Sequence, residues 1–139
     1  MRKRTQAREC ALKILYQMDI TKRSADLTVE RFWETESKVH PDVKDFANRL
    51  IFGVNENLQS IDNKITQYAT NWQLKRMAII DRNILRIGVF ELKFANDIPP
   101  KVTINEAVEL AKKFGDLDSS KFVNGILDKI HKTEVIQEN

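Results

Sequence analysis

The sequence predicts an all-α fold on two observations. Glycine and proline together supply only seven of the 139 residues, too few for the tight connections of a β-sandwich or barrel. Apolar side chains recur with the i, i+3, i+4 spacing of a helix, and no segment alternates as a strand would. A chain of this length buries roughly 70% of its unfolded surface, so it needs neither a metal nor a disulfide to fold.

The first predicted helix runs from about Lys3 to Asp19. Cys10 lies near its apolar side and is interpreted as a small core residue. A second helix is predicted from about Asp26 to Ser37. In the first of these helices, the spacing i, i+3, i+4 and i+7 predicts one buried apolar face. Its residues are Ala11, Ile14, Leu15 and Met18.

Pro41 predicts the start of the next helix, because proline suits the first helical position and Asp42 complements the helix dipole. The polar run 55–57 interrupts the apolar stripe that follows, which leaves open one kinked helix or two helices. That stripe comprises Val43, Phe46, Ala47, Leu50, Ile51, Val54, Leu58, Ile61 and Ile65.

Residues 68–75 are interpreted as a connector between two halves. The broad apolar pattern from about Arg76 to Asn96 predicts the central and most buried helix, which Pro99 and Pro100 end. One domain is therefore expected over residues 1–139, with helical halves of about 1–68 and about 69–139 and a total of six to seven helices.

Two further helices are predicted after the prolines. Thr103 and Glu106 form the pattern of a capping box, which places a helix start at Thr103. The pair Asp118-Ser119 predicts the cap of a last helix, whose core face contains either Phe122 or Val123. The polar tail from Thr133 is expected to fray.

Charge is unevenly distributed along the chain, whose net charge is +3. Residues 1–23 carry seven Lys or Arg and two acids, whereas the remainder carries 16 bases and 18 acids. A basic start on a slightly acidic body indicates a docking surface for a polyanion, and the alternative is an idle, solvated chain end.

Motifs for catalysis or metal binding are not evident. The two histidines have no ligand-spaced neighbours, the four glycines form no phosphate-binding loop, and Glu106 with Glu109 make a poor metal pair. The sequence therefore predicts no enzyme and no cofactor. One cysteine, no transmembrane stretch and no signal peptide lead us to expect a cytoplasmic protein without membrane association.

Binding surfaces remain as candidates. Arg4 and Arg8 lie one helical turn apart and are predicted to share a solvent face outside the apolar stripe, a geometry suited to successive phosphates. Lys121 and Phe122 could contribute a base and a stacking ring, although spacing alone favours a core position for Phe122. A third set, predicted to be exposed and to mark a partner face, comprises Tyr16, Asp81, Arg82 and Arg86.

Four stretches together resemble the NusB family of bacterial transcription antitermination factors. They cover most of the chain in the family's order, and INEAVELAK and KFVNGILDK are the most specific parts. The stretches are residues 7–16, NWQLKRMAIIDRNILRIGVFEL (71–92), IPPKVTINEAVELAKKFG (98–115) and DSSKFVNGILDKI (118–130).

The resemblance implies an all-helical fold of two packed three-helix subdomains with an extra helix. It also implies binding of boxA-type single-stranded RNA, notably in ribosomal RNA leaders. The expected partners are NusE, a small-subunit ribosomal protein, and the elongation complex of RNA polymerase with other Nus factors.

By the same resemblance, the RNA surface maps onto residues at the two ends of the chain, and the NusE surface maps onto Tyr16 and Asp81, with Arg82 as a neighbour. Many members have a denser arginine run where this chain has Thr5-Gln6. The predicted RNA-binding residues are Arg2, Lys3, Arg4, Arg8, Asp118, Lys121 and Phe122.

Two alternatives stand beside this interpretation. One is a helical adaptor that binds only proteins, or a homodimer, with an incidental basic N-terminus. The other is the related N-terminal domain of ribosomal RNA cytosine methyltransferases, which the absence of a cofactor motif disfavours.

Overall fold

The computed structural model describes residues 2–135, with side chains as far as Glu134. Over these residues the regular structure is helical, and no strand occurs. This confirms the predicted all-α class. A 3₁₀ turn at Leu74–Arg76 and a π-helical turn at His131–Val135 supplement the longer helices. Those helices are α1 Lys3–Thr21, α2 Ala25–Thr35, α3 Pro41–Glu56, α4 Leu58–Tyr68, α5 Ile79–Phe94, α6 Pro100–Phe114 and α7 Ser119–Ile130.

The chain forms two compact units that meet in sequence between Glu56 and Asn57. The polar run 55–57 therefore separates two helices, which settles the alternative left open by the stripe. The division lies earlier than the joint predicted near residue 70, because α4 packs against α5 and α7. The stripe that continues from α3 into α4 thus serves two different cores.

In the first unit, α1 packs against α2 and α3, and α2 also packs against α3. Ser24 caps α2 by accepting the Leu27 N–H at 3.3 Å, so this helix starts slightly earlier than predicted. The indole Nε1–H of Trp33 on α2 donates to Asn48 Oδ1 on α3 at 2.8 Å. The buried face of α1 includes Ala11 and Ile14, as its spacing predicts.

In the second unit, α5 is the most buried helix, as predicted, and it contacts α4, α6 and α7. Its buried residues extend without interruption from Asn83 to Leu92. A helix surrounded in this way cannot keep a fully polar side, and the buried Arg86 and Glu91 have partners on α4 and α6.

The predicted capping box is wrong. Pro100 occupies the first helical position of α6, so the helix starts almost one turn before Thr103. Thr103 is 2% exposed, and its hydroxyl donates to Glu91 Oε1 on α5 at 2.8 Å. The hydroxyl therefore satisfies a buried carboxylate instead of the helix terminus.

The predicted fraying from Thr133 is also wrong for the described part of the tail. The Tyr68 hydroxyl donates to Glu134 Oε2 at 2.6 Å, and the ammonium groups of Lys64 and Lys93 each lie 3.0 Å from Oε1. Three donors from α4 and α5 thus hold the π-helical turn against these two helices. Residues 136–139 lie outside the described residues.

Two helical glycines are expected to respond oppositely to alanine. A Cβ on Gly125 would meet nothing within 4 Å, so Gly125→Ala should raise the free energy of unfolding by about 0.5–1 kcal/mol through helix propensity. A Cβ on Gly88 would lie 2.7 Å from Leu127 Cδ1, so Gly88→Ala should lower it by about 1 kcal/mol or more. Urea unfolding followed by circular dichroism measures both. Equal shifts in the two variants would contradict the close approach of α5 and α7.

Candidate functional site

An open pocket of about 270 Å³ lies in the second unit, where the connector before α5 meets the first turn of α7. It combines two aromatic rings with several carboxylates and one guanidinium. Its lining residues are Trp72, Arg76, Met77, Ala78, Asp81, Asp116, Asp118, Ser119 and Phe122.

The connector positions the aromatic side of this pocket. The backbone N–H of Trp72 donates to the Ala69 carbonyl at 3.0 Å. The 3₁₀ turn that follows places Arg76 in the lining of the pocket. The indole of Trp72 is 55% exposed and meets the Phe122 ring edge-on, with ring centroids 6.1 Å apart. The pair leaves aromatic surface available to a planar ligand.

Phe122 lines this pocket and is only half-buried, whereas the neighbouring Val123 is fully buried in the core. This settles the alternative left open for the last helix. The preference that spacing gave to a core position for Phe122 is therefore wrong, because the apolar stripe of α7 runs through Val123. Phe122 is then not required by the core and is available for binding.

Asp81 lies in the first turn of α5 and is 9% exposed, so the expectation of an exposed side chain is wrong. Its Oδ1 has no hydrogen-bond partner among the described residues. Burial raises the pKa of Asp81; the Ser119 hydroxyl lowers it, and the nearby Asp116 carboxylate raises it further. A buried acceptor of this kind is energetically costly unless a ligand donates to it.

The turn before α7 is held by hydrogen bonds around Asp116. Its Oδ1 accepts from the Ser119 hydroxyl and from the Asp118 N–H, both at 3.1 Å, and Ser119 Oγ accepts the Asp116 N–H at 3.0 Å. Asp118 occupies the cap position but makes no side-chain cap hydrogen bond, contrary to the predicted cap. Asp118 lines the pocket and is exposed, and the exposed Lys121 directly precedes Phe122 on α7.

In the first unit, three guanidinium groups surround the ring of Phe46. The Arg4, Arg8 and Arg49 Cζ atoms lie 4.4, 5.3 and 5.8 Å from its centroid. Arg4 is exposed, but Arg8 is only 2% exposed. The predicted solvent face shared by Arg4 and Arg8 is therefore wrong, because α3 supplies an aromatic ring that covers Arg8.

The remaining basic residues at the chain start are exposed. Arg2 precedes the first turn of α1, which has neither a capping side chain nor an acidic residue. Lys3 forms an exposed ion pair with Asp42 at 3.1 Å, and such a pair contributes little to stability. Arg2, Lys3 and Arg4 therefore present exposed positive charge at a helix N-terminus, where the helix dipole disfavours it, although Arg4 also contacts the Phe46 ring.

The predicted partner set is not one exposed surface. Tyr16 is 39% exposed on α1, with Ile20, 54% exposed, one turn later. Arg82 is half-buried and donates to the Leu74 carbonyl at 3.3 Å. Arg86 is 8% exposed and binds Asp62, so its predicted exposure is wrong.

The structure thus brings Asp81, Asp118 and Phe122 together at one pocket of the second unit, and Arg4 and Arg8 around one ring of the first. Sequence reasoning missed Trp72, although a tryptophan inside a polar connector is a signal for an exposed aromatic residue.

Among the described residues no group of acidic, histidine or cysteine side chains could hold a metal ion. None of the described helices is sufficiently long and apolar to cross a membrane.

Comparison with known proteins gives a consistent family. A family model described as the NusB family matches residues 5–132. The transcription antitermination protein NusB of Anaeromyxobacter dehalogenans (strain 2CP-1 / ATCC BAA-258) is 48% identical over 92% of this chain and 89% of its own length. NusB of Myxococcus xanthus is 47% identical over 91% of this chain and 93% of its own.

Solved structures agree with this result. A T. maritima NusB structure superposes with a TM-score of 0.88 at 39% identity, covering 97% of this chain and 94% of that one. A NusB solved with NusE and double-stranded RNA superposes with a TM-score of 0.86 at 30% identity, covering 95% and 98% of the respective chains.

Proposed function

The chain belongs to the NusB family, and from this membership we propose that it is a non-enzymatic antitermination factor that binds boxA-type single-stranded RNA together with NusE. It then acts with other Nus factors on elongating RNA polymerase in the cytoplasm, especially during ribosomal RNA transcription. The observation that carries this proposal is the likeness to a NusB chain solved with NusE and RNA.

Two features of the structure support RNA as the ligand. The first is the exposed positive charge of Arg2, Lys3 and Arg4, which is suited to neutralising phosphates. The second is the aromatic pocket with Phe122, since unpaired bases stack on aromatic side chains. Asp118, which lines that pocket, and Lys121, which precedes Phe122, are proposed as further contacts. Arg8 is proposed to act by supporting the ring beneath Arg4.

For NusE, we propose a contact surface on α1 around Tyr16. Its exposed ring and the exposed Ile20 one turn later form apolar surface of the kind that protein partners cover. Asp81 and Arg82, which the family resemblance also points to, are less accessible. The competing proposal is a homodimer formed through the same apolar surface. Sedimentation of the free chain distinguishes the two, because a homodimer has twice the mass of the monomer.

The electrostatic part of the proposal predicts a salt dependence. If about four phosphates are contacted, log K for boxA-like RNA should fall with log salt at a slope near −3, at roughly 0.7 per contact. Arg4→Ala should weaken binding at low salt and reduce that slope by about 0.7, because it removes one exposed phosphate contact. Gel shifts or fluorescence anisotropy, with and without NusE, measure both quantities.

Lys13→Ala is the matched control, since Lys13 is an exposed base on the same helix outside the proposed contacts. It should leave the slope unchanged. A slope near zero, or equal effects of the Arg4 and Lys13 variants, would contradict RNA binding at the basic chain start. Arg8→Ala is a poor test, because loss of a buried side chain also changes stability.

A further inference from the structure

The guanidinium groups around Phe46 include one from outside the basic chain start. Arg49 is exposed on α3, and its Cζ lies 5.8 Å from the centroid of the ring that Arg4 and Arg8 of α1 also contact. Three like charges from two helices therefore surround a single ring. Their mutual repulsion is only partly offset by the attraction of each to the ring face.

An open groove of about 420 Å³ lies between the start of α1 and α3, beside this cluster. Two carboxylates, Asp42 and Asp45, lie in its lining and oppose an anionic ligand. Asp42 is already paired with Lys3 at 3.1 Å, so that Arg4 and Arg49 outnumber the remaining acid. The lining therefore keeps an excess of positive charge. Its residues are Lys3, Arg4, Asp42, Asp45, Phe46 and Arg49.

The arrangement of these groups suits the phosphodiester backbone of a nucleic acid. A guanidinium that lies over an aromatic ring keeps its N–H donors in its own plane, where they can bond to two phosphate oxygens. Phe46 is only 7% exposed, so its ring is fixed in the first unit and offers no free face for a base to stack on. A basic protein segment would be repelled by the excess positive charge. The groove is therefore suited to phosphates and not to bases.

We propose that Arg49 binds a backbone phosphate of the RNA, so that the RNA-binding surface crosses from α1 onto α3, and that Phe46 positions Arg4 and Arg49 for this contact. The inference rests on the proposed function and adds a second helix to the contact surface. Because a phosphate carries no sequence information, this contact contributes affinity and salt dependence, and contributes equally for every RNA sequence.

The experiment measures the fluorescence anisotropy of boxA-like single-stranded RNA with the full chain at several salt concentrations, with and without NusE. Arg49→Ala should weaken binding about fivefold at low salt and reduce the slope of log K against log salt by about 0.7, since one phosphate contact is lost. Arg49→Lys should preserve the slope, because the charge remains. Lys44→Ala is the matched control, since Lys44 is an exposed base on α3 outside the groove, and it should change neither quantity.

The positioning role of Phe46 is tested by aromatic rescue. Phe46→Leu keeps an apolar side chain but removes the ring, and it should weaken binding to any RNA about threefold. Phe46→Tyr keeps the aromatic face and should restore most of that affinity. Val43→Ala removes buried packing from the same helix, so it should lower the free energy of unfolding without this loss of RNA affinity.

The outcomes separate this inference from the proposed function. Absence of RNA binding by the parent chain, with or without NusE, overturns both. RNA binding that Arg49→Ala leaves unchanged in affinity and slope, or that Lys44→Ala weakens equally, overturns the role of Arg49 alone. Loss of NusE binding in Arg49→Ala, with unchanged RNA binding by the chain without NusE, assigns Arg49 to the protein partner and also overturns it. Equal RNA affinities of the Phe46→Leu and Phe46→Tyr variants overturn the positioning role of the ring.

Discussion

Replacing Arg86 with alanine is expected to lower the free energy of unfolding by about 3 kcal/mol or more. Arg86 Nε and Nη2 donate to the two carboxylate oxygens of Asp62 at 2.8 and 3.0 Å, and Nη1 donates to Asn83 Oδ1 at 3.1 Å. The pair joins α4 to α5 in a partly buried, bidentate geometry. Removal of the guanidinium leaves the Asp62 carboxylate without its partner. An uncompensated, partly buried charge destabilises the fold more than the replacement of both partners by apolar residues.

The matched control is Lys112→Ala, which breaks an exposed pair. Lys112 and Glu109 lie 3.5 Å apart with side chains 60% and 64% exposed, so its loss should cost less than about 1 kcal/mol. A double variant, Arg86→Met with Asp62→Leu, should recover much of the loss, because it leaves no buried charge. Urea unfolding of the three variants measures these differences. Similar small losses for Arg86→Ala and Lys112→Ala would show that the α4–α5 pair is not structural.

Arg86 also shows what sequence reasoning could predict and where it failed. Periodicity located the helices and their apolar faces, because burial of apolar residues obeys a local spacing rule. A charged residue off the apolar stripe was assigned to solvent by the same rule. For Arg86 and Arg8 this was wrong, since their partners, Asp62 and Phe46, come from other helices.

The same limit explains the errors at helix starts. The Thr103 pattern satisfied the local rule for a capping box, yet Pro100 starts α6 earlier and Glu91 takes the Thr103 hydroxyl. At the proposed site, sequence reasoning identified Phe122 but not its neighbour Trp72. The pocket exists because the connector folds back toward α7, and no short-range pattern encodes that contact.

The stability of the second unit is expected to depend on pH through Glu134. Although burial raises its pKa, hydrogen bonds from Tyr68, Lys64 and Lys93 lower the pKa of Glu134 from 4.5 to about 2. A carboxyl group with a depressed folded-state pKa stabilises the fold fully above its unfolded pKa. That contribution is lost as pH falls from about 4.5 towards 2.

Glu134→Gln is therefore expected to lower the free energy of unfolding by about 3 kcal/mol near pH 7, at roughly 1.4 kcal/mol for each pKa unit. The difference from the parent chain should shrink steadily below pH 4.5, because the protonated parent then resembles the glutamine variant. Glu109→Gln, at a carboxylate 64% exposed beside Lys112, is the control and should show little difference at either pH. Urea unfolding at neutral and acidic pH measures the profile. A Glu134→Gln penalty independent of pH would mean that the glutamine disturbs packing and that the three donors do not stabilise the charged form.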